Sequence, residues 1–301
     1  NIRIHRFAVF TAGFTFLLIV AGALVTSTGS GLAVPDWPLS FGQYFPEMTG
    51  GVFFEHGHRM IAGTVGILTT VLAVWLWVKE KRRWICWLGT GAWLAVITQA
   101  VLGGITVLHK LPTIVSASHA VLAQIFFCSL IAVAFFTRPG SAEIDSGENR
   151  ELLIRTRIFS LATMTAVYAQ LALGAFVRHG GGISFLLLHA INAVSVLVTA
   201  GLLWVSVRTE MAQHIKIVRT AGFLIGAVAA QIMLGIFSVF PPVLLGIQGL
   251  NRAGVVTLHV GLGALIMATA WIITLNCWGK RLTELFSAGR ENYGAEMMGG
   301  N

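Results

Sequence analysis

Eight long apolar stretches alternate with short polar segments along this chain. Each stretch has roughly the 20 residues that an α-helix needs to cross the hydrocarbon core of a bilayer. The segments between them contain clusters of charge, such as residues 79–83, or helix-breaking residues, such as Pro241 and Pro242. The pattern therefore predicts eight membrane-spanning helices, at about residues 7–28, 54–78, 84–106, 114–137, 157–177, 185–207, 220–240 and 253–277.

The composition agrees with a membrane protein. Apolar residues make up 56% of the 301 residues and charged residues only 11%, with a mean hydropathy of +0.81. A soluble domain would have roughly a quarter of its residues charged. The net charge of +8 comes from short clusters between apolar stretches, which set membrane topology and do not indicate nucleic-acid binding. The three cysteines lack the spacing of a disulfide framework or a zinc site.

The Lys and Arg residues are distributed unequally between the two sides of the predicted bundle. Sixteen of the 20 fall on the side that carries both termini, three fall on the opposite side, and Arg59 lies within the second span. Cytoplasmic loops carry an excess of Lys and Arg. Both termini are therefore predicted to be cytoplasmic, and the long segment 29–53 is predicted to face outward.

The chain divides into two halves of four spans each. Residues 1–140 form the first half, and residues 141–156 form a cytoplasmic linker. Residues 157–281 form the second half, and residues 282–301 form a polar, Gly-rich tail that is predicted to be disordered.

The two halves resemble each other in sequence. A Gln-x-x-Leu-Gly motif recurs in the third, fifth and seventh spans, at Gln99–Gly103, Gln170–Gly174 and Gln231–Gly235. Because each half has an even number of spans, both halves have the same orientation in the membrane. The predicted fold is an all-α integral membrane protein with eight transmembrane helices, arranged as two pseudo-symmetric four-helix bundles.

Each even-numbered span carries one histidine near its outer end. These residues are His58, His119, His189 and His259. Two imidazoles that face each other across a helix bundle can bind a heme iron from both sides. Two other interpretations stay open: histidines that hydrogen-bond between helices, and a metal bound by histidines alone. The scarcity of acidic residues within the spans disfavours a zinc or di-iron carboxylate site.

An ionisable cluster at the start of the second span distinguishes the first half. Glu55 shares a helix face with His58 and can meet Arg59, whereas His56 points elsewhere. Charge near hydrocarbon is costly, so such a cluster is a functional hypothesis by default. The corresponding stretch of the second half, residues 185–189, has no acidic residue. The first half is thus interpreted as a heme site with an added acid–base group, and the second as a plain bis-histidine heme site.

In several motifs of its first half the chain resembles the heme A synthase family. The resemblance rests on Gly22–Leu32, on the Pro-Asp-Trp-Pro motif at 35–38 and on Glu55-x-x-His58-Arg59. It covers essentially all eight spans. It implies an enzyme of the bacterial plasma membrane or the mitochondrial inner membrane. Such an enzyme converts heme O to heme A by oxidising the C8 methyl group of the porphyrin to a formyl group, through successive hydroxylations.

The resemblance also implies roles for individual residues. His189 and His259 would bind the iron of a heme b cofactor, which would relay electrons. His58 and His119 would bind heme O as substrate, and Glu55 would be catalytic. Secondary candidates complete the set, some of them as contacts of heme propionates: Arg59, His56, Arg178, Arg252, His109 and His179.

The same resemblance implies partners. A heme O synthase would supply the substrate, a heme-copper oxidase would use the product, and a quinone or another partner would accept electrons. A homo-oligomer is left open.

One departure from the family concerns cysteines. Many members have a cysteine pair around the Asp-Trp-Pro of the first outer loop, where this chain has Val34 and Ser40 or Phe41. A second pair sometimes follows the fifth span, and residues 178–184 contain none. A mechanism that depends on these cysteines is therefore not expected here.

The histidines alone fit a second class of protein. A di-heme b-type cytochrome that passes electrons between a quinone and an outside partner would need the same four imidazoles. It would need neither Glu55 nor the Asp-Trp-Pro segment. A transporter without heme is a third and weaker alternative.

Overall fold

The computed structural model describes residues 1–140, 150–239 and 250–298. Apart from one isolated β-bridge between Ser40 and Gln43, the regular structure of these residues is helical. Eight helices are long and apolar enough to cross a membrane. They are α1 (Ile2–Ser27), α2 (Gly50–Lys79), α3 (Arg83–Leu108), α4 (Thr113–Thr137), α5 (Arg150–Arg178), α6 (Gly182–Glu210), α7 (Ile215–Val239) and α8 (Leu250–Met298).

Most of the helices extend beyond the predicted apolar spans. Helix α5 begins at Arg150 and so includes part of the predicted linker, whose residues 141–149 lie outside the described residues. Helix α8 continues to Met298 and so includes residues 282–298 of the predicted tail. Part of this extension packs on the bundle, because Phe286 stacks on Trp84 with ring centroids 5.6 Å apart.

The turn between α5 and α6 is short because two glycines adopt backbone conformations that other residues rarely take. Gly180 has φ +97° and Gly182 has φ +78°. The Cβ of a residue at position 180 would lie 3.4 Å from Thr113 Oγ1, so this turn rests on the start of α4.

Each half is a closed ring of four helices. Helix α1 packs on α2, α2 on α3, α3 on α4 and α4 on α1, and the same cycle joins α5, α6, α7 and α8. The halves meet through α4 with α8, α1 with α8, and α4 with α5. Exchanging the halves maps these contacts onto one another, so the packing has the predicted pseudo-two-fold relation, with α4 and α8 next to the axis.

Helices α4 and α8 form the centre of the molecule. In their spans 61% and 56% of the residues are buried, against 17–28% in the other six. Between them, Trp271 Nε1 donates to the carbonyl oxygen of Cys128 at 2.9 Å. Lipid competes equally for apolar side chains, so close packing and such interhelical hydrogen bonds hold membrane helices together. The three cysteines, Cys86, Cys128 and Cys277, are buried, and none of them is in a disulfide among the described residues.

We expect Phe126→Ala to destabilise the protein, because this α4 side chain is only 2% exposed within the core of the first half. The expected loss is about 3 kcal/mol, the lower end of the range for buried Phe, since the cavity in a membrane protein is not accompanied by transfer from water. Unfolding in mixed micelles measures it. Ile125→Ala is the matched control, because Ile125 is 45% exposed and should change stability little. Equal effects of the two substitutions would contradict the packing described for α4.

Candidate functional site

The four predicted histidines lie near one end of the bundle, each on an even-numbered helix. This end carries residues 28–49 and the α3–α4 and α5–α6 connections, and it is called the outer end below. Each histidine follows the first residue of its helix by six to nine positions. In the predicted spans the histidines follow the first residue by only four to six positions, and the difference arises because the even-numbered helices begin earlier than the apolar spans.

His189 on α6 and His259 on α8 face each other across the second half. Their ring centroids are 6.4 Å apart and the ring planes make an angle of 66°. Imidazole nitrogens bind metals at about 2 Å, so two imidazoles on opposite sides of one metal ion have centroids about 6 Å apart. The two rings therefore have the separation of a pair of axial ligands. The described residues contain no group of three or more His, Cys, Asp or Glu side chains that could hold a metal in another way.

A hydrogen bond fixes the orientation of the His189 ring. Its Nδ1 lies 3.1 Å from the carbonyl oxygen of Gln170 on α5. A carbonyl oxygen only accepts, so Nδ1 carries the hydrogen and donates it. Nε2 is then left with its lone pair, which is the form of the imidazole that binds a metal.

The Gln-x-x-Leu-Gly motif explains how the histidine helices are held. In each copy the Gln side chain donates through Nε2 to the carbonyl oxygen of a histidine on the next helix. The distances are 2.9 Å from Gln99 to His119, 2.9 Å from Gln170 to His189 and 2.8 Å from Gln231 to His259. We call these three bonds the glutamine braces. Each one ties an odd-numbered helix to the histidine position of the even-numbered helix that follows.

The glycine of each motif packs against the imidazole itself. A Cβ at Gly103 would lie 3.5 Å from Cε1 of His119, one at Gly174 2.9 Å from Cε1 of His189, and one at Gly235 3.1 Å from Cε1 of His259. In the first helix, a Cβ at Gly22 would lie 3.1 Å from Nε2 of His58. At Gly174 and Gly235 a larger residue would displace the ring, so glycine is required for the helices to approach so closely.

The first half places His58 on α2 and His119 on α4, where Gly22 of α1 and Gly103 of α3 pack against the two imidazoles. Glu55 lies one turn before His58 and is buried, with 3% of its surface exposed. Its Oε2 accepts from the backbone N–H of Val34 at 2.8 Å, and its Oε1 accepts from Arg59 Nη2 at 2.7 Å. The predicted Glu55–Arg59 pair is therefore present, and it also binds the outer loop.

Arg59 and His56 attach the same loop to α2. Arg59 Nη1 donates to the carbonyl oxygens of Asp36 and Leu39, both at 2.8 Å. His56 Nδ1 and Ser40 Oγ are hydrogen-bonded at 2.8 Å. Three of the six residues from Phe54 to Arg59 thus bind residues 34–40.

The loop folds around Asp36 and covers the end of the bundle. The Asp36 carboxylate accepts from the backbone N–H groups of Gly42 at 2.8 Å and Phe41 at 2.7 Å. These N–H groups, that of Gly42 first, hold the pKa of Asp36 below its ordinary value, so the carboxylate is charged at neutral pH. Trp37 packs over α3, where the Cβ of a larger residue at Gly104 would lie 2.7 Å from its ring.

The secondary candidates differ in their environments. Arg178 at the end of α5 joins the halves, since its Nη2 donates to Ala23 O at 2.7 Å and to Ser27 Oγ at 2.6 Å on α1. Burial lowers the pKa of the neighbouring His179 to about 4, so this imidazole is neutral at pH 7. His109 is exposed at the C-terminal end of α3, and Arg252 is exposed near the start of α8.

Sequence reasoning did not identify the roles of the glutamines or of Arg178. The motif copies were visible as a repeat, and their common spacing was the available signal for a shared structural task. Nothing in the sequence indicated that Arg178 bonds to a residue more than 150 positions earlier.

The fold and the site define a multi-pass membrane protein that carries a pair of imidazoles in each of two four-helix halves. Residues 5–186 match the family described as cytochrome oxidase assembly protein, COX15-CtaA. The chain belongs to this family. The matched segment contains Glu55, His58 and His119 and ends before His189.

Several curated relatives are named heme A synthase, which confirms the resemblance found in the sequence motifs. That of Bacillus licheniformis is 30% identical over 184 residues, or 60% of each chain. That of Bacillus pumilus is 32% identical over 178 residues, or 57% of each chain. That of Symbiobacterium thermophilum is 31% identical over 176 residues, which cover 55% of this chain and 56% of the relative. This chain thus spans up to about 60% of the length of these relatives.

We expect Arg59→Met to loosen the outer loop, because the substitution removes the donor to the Asp36 and Leu39 carbonyls and leaves Glu55 without its cation. A hydrogen bond to a charged group contributes about 1.5–3 kcal/mol, so amide hydrogen exchange of residues 33–42 should accelerate roughly tenfold or more. Mass spectrometry after deuterium labelling measures this. Arg252→Met, at an exposed arginine of the same end, should leave the exchange unchanged. Unaltered exchange in Arg59→Met would show that the loop is held by other contacts.

Proposed function

We propose that this chain is a heme A synthase. In this proposal His189 and His259 hold heme b, and heme O binds between His58 and His119 as the substrate. The observation that carries the proposal is the pair of facing imidazoles at 6.4 Å in one half, together with a buried carboxylate beside the histidine of the other half only. The names of the relatives support the same activity.

The second half has the features that a bis-histidine heme site requires. The imidazole separation fits two axial ligands, the Gln170 carbonyl leaves Nε2 of His189 available, and the glycines at 174 and 235 allow close packing around the rings. Heme b bound there would supply one-electron transfer. The residues of the chain orient the imidazoles.

The first half is proposed as the place of chemistry. Two successive hydroxylations turn the C8 methyl group of heme O into an alcohol and then into a geminal diol, which loses water to give the formyl group. With water as the source of the oxygen, each hydroxylation replaces one C–H bond of the methyl carbon by a C–OH bond and releases two electrons and two protons. Four electrons therefore pass in total to a quinone or another acceptor.

Glu55 is the proposed catalytic residue because it lies on the helix face of His58 and remains available for further hydrogen bonds. A carboxylate offers about four lone-pair positions, and the Val34 N–H and Arg59 use one on each oxygen. The remaining positions can hold a water at the reacting carbon or accept a proton from it. Arg59 keeps the carboxylate in place, and the loop that both residues bind covers the site from outside.

The proposed location is the bacterial plasma membrane, with both termini in the cytoplasm. The excess of Lys and Arg on the side of the termini supports this orientation. A heme O synthase would supply the substrate and a heme-copper oxidase would take up the product. The rival class, a di-heme electron-transfer cytochrome, would share the heme sites but would form no heme A.

We expect His189→Ala and His259→Ala to lose heme b, because each removes one of the two proposed axial ligands. Pyridine hemochrome assay and mass spectrometry of the purified protein measure the heme content, which should fall to near zero for heme b. His214→Ala is the control, since His214 lies in the α6–α7 connection at the opposite end of the bundle. An unchanged heme spectrum in His189→Ala would refute the assignment of the cofactor site.

We expect Glu55→Gln to retain heme b but to form heme A at least about a hundredfold more slowly, the usual contribution of a positioned acid–base group. Membranes supplied with heme O are followed by mass spectrometry for heme A. Glu47→Gln is the matched control, because it makes the same change at an exposed residue of the outer loop. Heme A formation at the normal rate in Glu55→Gln would exclude a catalytic role. Its absence from the wild-type reaction would favour the electron-transfer cytochrome.

A further inference from the structure

One of the four histidine positions lacks the glutamine brace. Helix α1 contributes Gly22 against His58, as α5 contributes Gly174 against His189. Four residues before the glycine, where α5 has Gln170, helix α1 has Leu18. A leucine cannot donate to the carbonyl oxygen of His58. His58 therefore lacks the brace that its pseudo-symmetric counterpart, His189, receives from Gln170.

The imidazole of His58 also has a different contact from the other three. The glycine of α1 faces its Nε2 and Cδ2 edge, at 3.1 and 3.5 Å from the position of a Cβ, whereas the glycines of α3, α5 and α7 face Cε1. Among the described residues, none forms a hydrogen bond with the His58 ring. Its orientation is thus determined by packing alone, as is that of the His119 ring, whose Nδ1 is buried without a partner among these residues; what distinguishes His119 is that its backbone carbonyl accepts from Gln99.

The outer end of α2 is bound to the outer loop. The other three histidine helices are instead bound to the preceding helix by a glutamine brace. Glu55, His56 and Arg59 flank His58 on both sides, and all three bond to residues 34–40. A displacement of this loop would pull on the turn of α2 that carries His58. The opposite histidine, His119, is held to α3 by the brace from Gln99.

From this asymmetry we infer that His58 is the exchangeable axial ligand of the substrate site, and that His119 is the fixed one. The inference rests on the proposed function, because it assigns heme O to this pair. Substrate enters and product leaves when His58 and the attached loop move away together, while His119 keeps its place. The heme b site, with a brace at both histidines, retains its heme throughout.

The rate of heme loss tests this inference without any turnover. Two variants of the chain are designed to bind heme in one half only: His189→Ala/His259→Ala leaves the first half, and His58→Ala/His119→Ala leaves the second. Each form is loaded with ferric protoporphyrin IX and mixed with an excess of apomyoglobin, and the Soret band reports the transfer. We expect faster loss from the first half.

Restoring the missing brace should slow that loss. Leu18→Gln in the first-half form places a donor where α5 has Gln170, and a net hydrogen bond of about 1 kcal/mol corresponds to roughly a fivefold slower transfer. Leu17→Gln is the matched control, because the same change one position earlier falls on an exposed side chain. Gln170→Leu in the second-half form should accelerate its loss by a similar factor. If the first-half form loses its heme during purification, Leu18→Gln should make it retainable.

The inference is overturned if Leu18→Gln and Leu17→Gln have the same effect, or if the first half holds its heme as long as the second. These outcomes are separate from the proposed function. A chain that forms heme A but shows equal heme loss from both halves contradicts only the exchangeable ligand. A chain that forms no heme A while Leu18→Gln slows heme loss contradicts only the enzymatic assignment.

Discussion

The contact on which both sites depend is the approach of each histidine to a glycine on the preceding helix. Lipid offers no hydrogen-bond partner to exposed polar groups, so the polar side chains near the imidazoles must be satisfied by neighbouring helices. The glutamine braces do this for the side-chain N–H groups at three of the four positions, by donating to the histidine carbonyl oxygens, whereas Oε1 of Gln99 and of Gln231 is buried without a partner among the described residues. The contacts that pack the helices therefore also position the imidazoles, so a change in the packing moves the rings and a change in the rings alters the packing.

The outer loop gives the first half a property that the second lacks. Its attachment uses Glu55, His56 and Arg59, which immediately surround His58. A buried carboxylate paired with an arginine is costly to remove from water, and good geometry with additional hydrogen bonds is needed to offset that cost. Here those bonds join the loop to α2. The residue proposed for chemistry is consequently also the one that closes the site, so the loop and the reacting group are assembled together.

Much of the architecture could be predicted from the sequence, and the limits have physical causes. Apolar length gave the number of spans, and the spacing of Glu55 and Arg59 gave their ion pair, because both depend on local geometry. The helix ends were underestimated because polar turns such as the start of α5 do not register as apolar. The braces and the Arg178–Ser27 bond depend on how helices rotate against one another, which no local pattern specifies. Phe286 in the extension of α8 stacks on Trp84, about 200 positions earlier, a contact that no local pattern indicates either.

The pseudo-two-fold axis beside α4 and α8 gives the chain the geometry of a dimer in which both subunits have been joined. In a true two-fold dimer of identical four-helix units, every substitution appears at both sites. A carboxylate introduced beside the histidine of one subunit would then also be present beside the same histidine of the other. A leucine that replaces a brace glutamine would likewise occur in both subunits. Joining the units into a single polypeptide removes this restriction. Glu55 corresponds to Leu186 in the second half, and Leu18 corresponds to Gln170. In a single polypeptide, two halves with the same helix arrangement can therefore have different functions.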